Sequence, residues 1–275
     1  MSDTFSFERH RWLALLLLLS LVFCLFGCSG EEKTNAKASQ KPVLRIGLEA
    51  YLPFVYIDDS GRPAGIDVDI AKEACRRLGY TPQFVVIDWD KRDELLEKGE
   101  IDGIWCCYSM REREGLYHWA GPYMMSRMVV AVSATGNIRH VSELNGKRVA
   151  VRSNTKAERI LSHDEVPGLV LSDLYTFLDR DLVYTSLYKG YVDGLASHEA
   201  AILQYMKDTG IAFRILPEPL EITGVGVAFH KNDNRPIVDD LGRTLQTMAD
   251  DGTTEQILRK YVDAPESFLK GVRHE

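Results

Sequence analysis

The sequence offers little to a nucleic acid, a metal cluster or a disulfide framework. Its 275 residues carry 33 Lys and Arg against 40 Asp and Glu, a formal net charge of −7. The basic residues are dispersed, so no basic patch is available for a phosphate backbone, which argues against nucleic acid as a partner. Cysteine is scarce, five in all. Cys75, Cys106 and Cys107 match no zinc spacing, and no metal or other cofactor is expected. These thiols allow at most one disulfide, and a vicinal Cys106–Cys107 bridge would be strained. Buried free thiols acting as small apolar side chains are the favoured reading. No internal repeat stands out. The longest near-continuous apolar run, 12–26, has 15 residues, short of the roughly 20 that a membrane-spanning helix needs.

What is present is an ordinary globular composition, 45% hydrophobic and 27% charged, with apolar material for one or two cores. The N-terminal run follows a basic Arg9-His10-Arg11 and suits a signal-peptide core. It ends in Leu25-Phe26-Gly27-Cys28, which resembles the bacterial lipobox. That resemblance implies a diacylglycerol on Cys28 and cleavage before it. Residues 1–27 would then be a lipoprotein signal peptide and 28–42 a flexible polar tether. The expected location is extracytoplasmic, lipid-anchored to a bacterial membrane, at the outer face of the plasma membrane or in the periplasm.

From Val43 the chain alternates strands and helices. Strands are expected over 43–47, 81–87 and from 101. Helices are expected from Gly65 to about Gly79, with a glycine C-cap, and over 90–98. Trp119-Ala-Gly-Pro-Tyr reads as a turn before an apolar run at 128–132. The pattern then restarts. Strands are read at 148–151, 170–174, 192–196, 212–216 and 224–230, and helices after Asn154-Thr155, at 179–189, 198–207, 236–248 and 254–261. This is an α/β chain in two units.

Several pieces occur in one order: Gly65-Ile-Asp-Val-Asp-Ile-Ala; Leu95-Leu-Glu-Lys-Gly-Glu-Ile-Asp-Gly-Ile; Arg113 nine residues ahead of Pro122-Tyr123; Leu144-Asn-Gly-Lys-Arg-Val-Ala-Val; Gly190-Tyr-Val-Asp-Gly; and Asp251-Gly-Thr. In that order, behind a lipobox, the chain resembles the extracytoplasmic solute-binding proteins of ABC importers, in the polar amino-acid branch (family 3). The resemblance covers roughly residues 43–261. It implies the two-lobe type II periplasmic-binding-protein fold, in which each lobe is a central mostly parallel sheet with flanking helices and two crossover strands form a hinge. Lobe 1 would be 43–130 plus 226–275, lobe 2 would be 131–225, and the hinges 128–132 and 223–227. It also implies a monomer that binds a small molecule, an amino acid being expected, and delivers it to an ABC transporter permease.

Residue by residue, Arg113 matches the arginine that clamps a ligand carboxylate, a task suited to a planar guanidinium. Arg111 reads as a solvated charge. Ser109 or Tyr108 matches the assisting position at the strand end. Thr155 and the Lys156 amide match a helix N-terminus in lobe 2 that also holds the carboxylate. Tyr51 matches an aromatic that stacks on the ligand. The family usually places an aspartate for the ligand's ammonium where this chain has Ser197-His198-Glu199, so His198 or Glu199 takes that place. Glu49 is a second candidate acceptor. Asp67, Asp69, Asp102 and Asp193 read as caps and turn formers. The expected activity is binding, not catalysis. The alternatives are a dehydratase-like enzyme on the same fold, using His198 and Glu199, or a ligand-presenting sensor component. The lack of a C-terminal transmembrane segment reads against a sensor receptor.

Overall fold

The computed structural model describes residues 41–272. The signal peptide, Cys28 and nearly all of the tether lie outside the described residues. Within them, apolar alternation and glycine punctuation produce eleven strands and seven α-helices.

The first half contains β1 (Val43–Leu48), a small hairpin of β2 (Tyr56–Ile57) and β3 (Pro63–Ala64), helix α1 (Ile66–Leu78), β4 (Thr81–Val86), helix α2 (Arg92–Glu97) and β5 (Gly103–Ser109). A long strand, β6 (Tyr117–Ser133), leads into β7 (Arg148–Arg152), α3 (Lys156–Ser162), β8 (Asp173–Phe177), α4 (Arg180–Tyr188), β9 (Gly194–His198), α5 (Glu199–Thr209) and β10 (Phe213–Ile215). A second long strand, β11 (Glu221–His230), returns to α6 (Pro236–Asp250) and α7 (Thr253–Leu258).

The main sheet has the order β4-β1-β5-β11-β6-β9-β7-β8, with β10 on β6. β1 pairs in parallel with β4 and β5, and β7 with β8 and β9. The two long strands run antiparallel to each other and to β5 and β9. Each half therefore sets its first strand between its second and third, and β6 and β11 join the halves.

Strand β7 shows why both sheet faces are covered. Val149 and Val151 point into one apolar cluster with Val130 and Leu216, while Ala150 points into another with Leu195 and Ile202. A continuous apolar run is the expected signature of such a doubly covered parallel strand. In the first half, Ile46, Trp105, Tyr123, Phe229 and Leu241 share one core. Gly79 and Gly210 close α1 and α5 in the left-handed conformation. Gly65, ahead of α1, has φ of 120°, and a Cβ there would stand 2.3 Å from the Phe54 carbonyl oxygen, so only glycine fits.

Two local expectations are corrected. Trp119-Ala-Gly-Pro-Tyr is not a turn but a bulged part of β6. Val225 faces Met124 and Val227 faces Ala120, so three residues on β6 oppose one on β11. Gly121 supplies the positive φ of 127°, and Pro122 sits where no ladder donor is needed. The strand read at 170–174 lies at Asp173–Phe177, because it pairs in register with the whole of β7. The four aspartates do not cap helices. Asp102 and Asp193 hold arginines, Asp69 takes Lys260 and Tyr261, and Asp67 turns into the core.

Candidate ligand site at the carboxyl ends of the strands

In parallel α/β sheets, ligands gather at the carboxyl ends of the strands. Here Glu49 follows β1, Ser109 ends β5, Arg152 ends β7 and His198 ends β9. All four line one cavity, to which Tyr51, Tyr108, Arg113, Thr155, Lys156 and Arg180 also contribute. The space, its open mouth included, is about 600 Å³.

Arg113 sits on the loop between β5 and β6. Its Nη1 donates to the Ser109 carbonyl at 3.1 Å, and its guanidinium lies 4.7 Å from the Tyr108 ring centre. Among the described ion pairs none involves Arg113, so its remaining donors have no protein carboxylate to meet. The Ser109 hydroxyl is buried and has no hydrogen-bond partner. A buried hydroxyl left unpaired beside a guanidinium without an acid is a natural pair of donors for an incoming anion.

The other predicted residues are placed as follows. Tyr51 is buried, and its hydroxyl lies 3.0 Å from the Ser197 Oγ. Arg180 covers its ring, with the guanidinium carbon 3.5 Å from the ring centre. Glu49 is not a free acceptor: Arg152 and Arg180 each donate to one of its oxygens, at 3.3 and 3.1 Å. The Thr155 hydroxyl donates to the Arg152 carbonyl and accepts from the Glu158 N–H, so its capping role leaves only backbone for a ligand. The Lys156 ammonium is buried and held by Glu112 and by Glu221, the latter at 3.3 Å. His198 is buried with its Nδ1 2.6 Å from the Ser126 Oγ. Burial and then the charges of Arg180 and Arg113 pull its pKa down to about 3, so the imidazole is neutral at ordinary pH.

Glu199 is not brought into the cavity. It opens α5 and accepts from Arg127 Nη1 with both oxygens, at 3.1 and 3.0 Å. One residue past the end of β9 the chain has turned into a helix, and this side chain no longer follows the strand. His198, the last strand residue, lines the cavity instead.

Sequence reasoning missed Arg152, Arg180 and Trp89. Arg152 carried a readable signal, a charged residue ending an apolar strand. Arg180 and Trp89 had none, since each is brought to the cavity from a helix start. Trp89 Nε1 donates to the Asn154 carbonyl at 3.2 Å. Beneath the site, Asp67 accepts from the Cys107 N–H at 2.7 Å and from the Tyr123 hydroxyl at 2.9 Å. Cys107 holds a left-handed φ of 45°, and this carboxylate secures that strained turn of the cavity wall. Cys75, Cys106 and Cys107 are free and buried, as expected, and burial raises all three thiol pKa values. No helix of the described residues is long and apolar enough to cross a membrane.

The chain is 27% identical to the L-cystine-binding protein TcyA of Bacillus subtilis, over 92% of this chain and 97% of that one. It is 28% identical to the histidine-binding periplasmic protein of Escherichia coli, over 90% and 96%. Among solved structures, an ancestral arginine-binding protein bound to arginine superposes with a TM-score of 0.72 at 25% identity, covering 82% of this chain and all of that one. The family model for bacterial extracellular solute-binding proteins, family 3, matches residues 44–264. With four-fifths of its length inside that match, the chain belongs to the bacterial extracellular solute-binding proteins of family 3.

Proposed function

We propose that this protein captures a small polar solute outside the cytoplasm, holds its carboxylate on Arg113 and Ser109, and delivers it to the permease of an ABC importer. The observation that carries this reading is Arg113, a cavity guanidinium with no acid partner beside an unpaired buried hydroxyl. Amino acids are the first class to test, because relatives spanning nearly the whole chain are named for binding cystine and histidine. The two halves act as lobes, 43–130 with 226–275 and 131–225, and residues 128–132 of β6 and 223–227 of β11 are the hinges that let them close. The protein is a monomer held to the membrane by lipid on Cys28. Catalysis by a His198–Glu199 pair is disfavoured, since Arg127 holds Glu199 away from the cavity.

The test is a thermal-shift screen of the purified full-length protein in detergent, stripped of ligand by partial unfolding. A ligand at about 100 times its dissociation constant adds about 2.7 kcal/mol, several degrees. A carboxylate-bearing hit that is lost in Arg113→Ala is the expected result. A hit unaffected by Arg113→Ala overturns the clamp.

A further inference from the structure

Resting on that reading, we infer that the ligand is a small organic anion whose recognition uses no ammonium group, so that ammonium-free acids are preferred to α-amino acids. Three observations converge. First, the cavity wall holds four cationic side chains, Arg113, Arg152, Lys156 and Arg180, against one carboxylate, Glu49. Even with Lys156 set aside, because Glu112 and Glu221 hold it, three guanidinium groups meet Glu49 and, through Arg152 at 3.6 Å, Asp90 from outside the lining, so the cations still outnumber the acids. Second, Glu49 is occupied on both oxygens by Arg152 and Arg180. An ammonium could reach it only by displacing a guanidinium already in place, and both competitors are donated by the same wall.

Third, the aromatic rings that could attract a cation already carry a partner on one face. An ammonium deprived of a carboxylate can rest on an aromatic face. Four rings line the cavity. Tyr51 carries Arg180, Tyr108 carries Arg113, and Trp89 carries Arg92 at 4.7 Å. Tyr184 stacks on Tyr205 with centroids 4.2 Å apart. His198 reports the same field: with Arg180 and Arg113 nearby, its buried ring stays neutral. His198 is kept neutral first by burial, and the smaller push from Arg180 and Arg113 is the part that a ligand cation would also meet. The groups left over, the Arg113 guanidinium and the Ser109 and Tyr184 hydroxyls, can all donate to oxygen anions.

The experiment compares matched pairs by calorimetry on the full-length, ligand-stripped protein. L-Glutamate is set against 2-oxoglutarate and glutarate, and each other standard amino acid against its 2-oxo and 2-hydroxy acid. Cystine and the dicarboxylates from malonate to adipate complete the panel. The expected result is that the tightest binder lacks an ammonium and binds at least tenfold tighter than its amino-acid partner. An amino acid that binds tighter than its ammonium-free partners overturns this inference and leaves the solute-binding reading standing. No binding by any carboxylate in the panel overturns the carboxylate reading itself. Glu49→Gln supplies a second arm. Freed of its acid, the arginine pair should tighten anion binding at least threefold. A tenfold loss of binding would show that Glu49 accepts a ligand cation and would overturn the inference. Should Glu49→Gln fail to fold, mass spectrometry of the ligand released from the unmodified protein on denaturation decides the same question, by the presence or absence of an amino group.

Discussion

At the start of their strands the two halves of this molecule are built alike, and at the other end they are not. Arg45 gives its backbone N–H and its Nε to Asp102, just ahead of β5, at 2.8 and 3.0 Å. Arg148 gives the same two groups to Asp193, just ahead of β9, at 2.9 and 3.1 Å. An Asp-Gly pair opens the third strand in each half, and in each half the aspartate ties the first strand to the third. At the carboxyl ends the likeness stops. The first half presents a free guanidinium, an unpaired hydroxyl and aromatic rings. The second presents two arginines and a lysine that are already engaged, a neutral histidine, and a single tyrosine, Tyr184, whose buried hydroxyl is also unpaired. The shared end holds the sheet together, and the divergent end is left to meet the solute.

That contrast is sharpest in the two cavity cations Lys156 and Arg113. The Lys156 side chain is 2% exposed and its partner Glu221 is 7% exposed. Removing Lys156 leaves Glu221 only the mostly exposed Arg111, at 3.5 Å, at a cost of about 2 to 3 kcal/mol. Lys156→Met should therefore lower the denaturant midpoint strongly. Arg113→Ala should change stability by less than about 1 kcal/mol, because no acid depends on it. It should instead weaken ligand binding about 100-fold, the worth of one or two charge-assisted hydrogen bonds. Equal stability losses in the two variants would show that the cations are not divided in this way.

The first half also buries a carboxylate under the site, and this predicts a pH dependence. Burial pushes the Asp67 pKa up to about 7, against the smaller opposing effects of Tyr123 and Cys107. The unfolded value is near 4. Between these values the folded protein holds the proton more tightly than the unfolded chain. Stability therefore falls as pH rises from about 4 to about 7, by at most about 1.4 kcal/mol per unit, and this contribution is level above 7. Asp67→Asn can still accept from the Cys107 N–H and bond the Tyr123 hydroxyl. Urea titrations at pH 5 and pH 8 should show a flatter profile for the variant. An unchanged profile would mean that Asp67 titrates normally.

The matched aspartates test the shared end. The Asp102 side chain is 6% exposed and takes Arg235 as well as Arg45, whereas that of Asp193 is 31% exposed and takes Arg148 alone. The arginines are partly exposed and can rehydrate, so neither loss reaches that of a sealed pair. Asp102→Ala should cost about 2 kcal/mol and Asp193→Ala about 1 kcal/mol. A reversed order in chemical unfolding would show that the second half depends more on its tie.

The sequence made these features legible to unequal degrees. Element type was readable because strands such as β7 are continuous apolar runs and helices such as α1 end at a glycine. The β6 bulge was not readable, since Gly121-Pro122 is a turn signal and only pairing with β11 reveals the strand. For the site, eight of the nine predicted side chains line the cavity; Glu49, Tyr108, Ser109 and His198 do so because strand ends are set by apolar pattern. Glu199 was misplaced by one residue, the step at which a strand becomes a helix. Partnership was the least legible property. That Glu49 and Lys156 are engaged while Arg113 is not depends on residues from distant parts of the chain, and no local pattern encodes it.

The smallest expected effect concerns the contacts that span the two halves. Glu112, on the loop after β5, accepts from Lys156 and, at 2.7 Å, from Arg159 of α3. Asp90 takes the Asn154 side chain at 2.6 Å. If closure around the solute brings these groups together, they stabilise the closed form but not the open one. The Glu112 and Arg159 side chains are 38% and 37% exposed, so the contribution is under about 1 kcal/mol. Glu112→Gln should then raise the ligand dissociation rate two- to fivefold and leave the association rate nearly unchanged. Because these charges are partly solvated, raising the salt to about 0.5 M should shrink the difference from the unmodified protein. Stopped-flow measurements at both salt concentrations, with the ligand found by the screen, test this directly. A change confined to the association rate would place Glu112 in steering the solute and not in holding the halves closed.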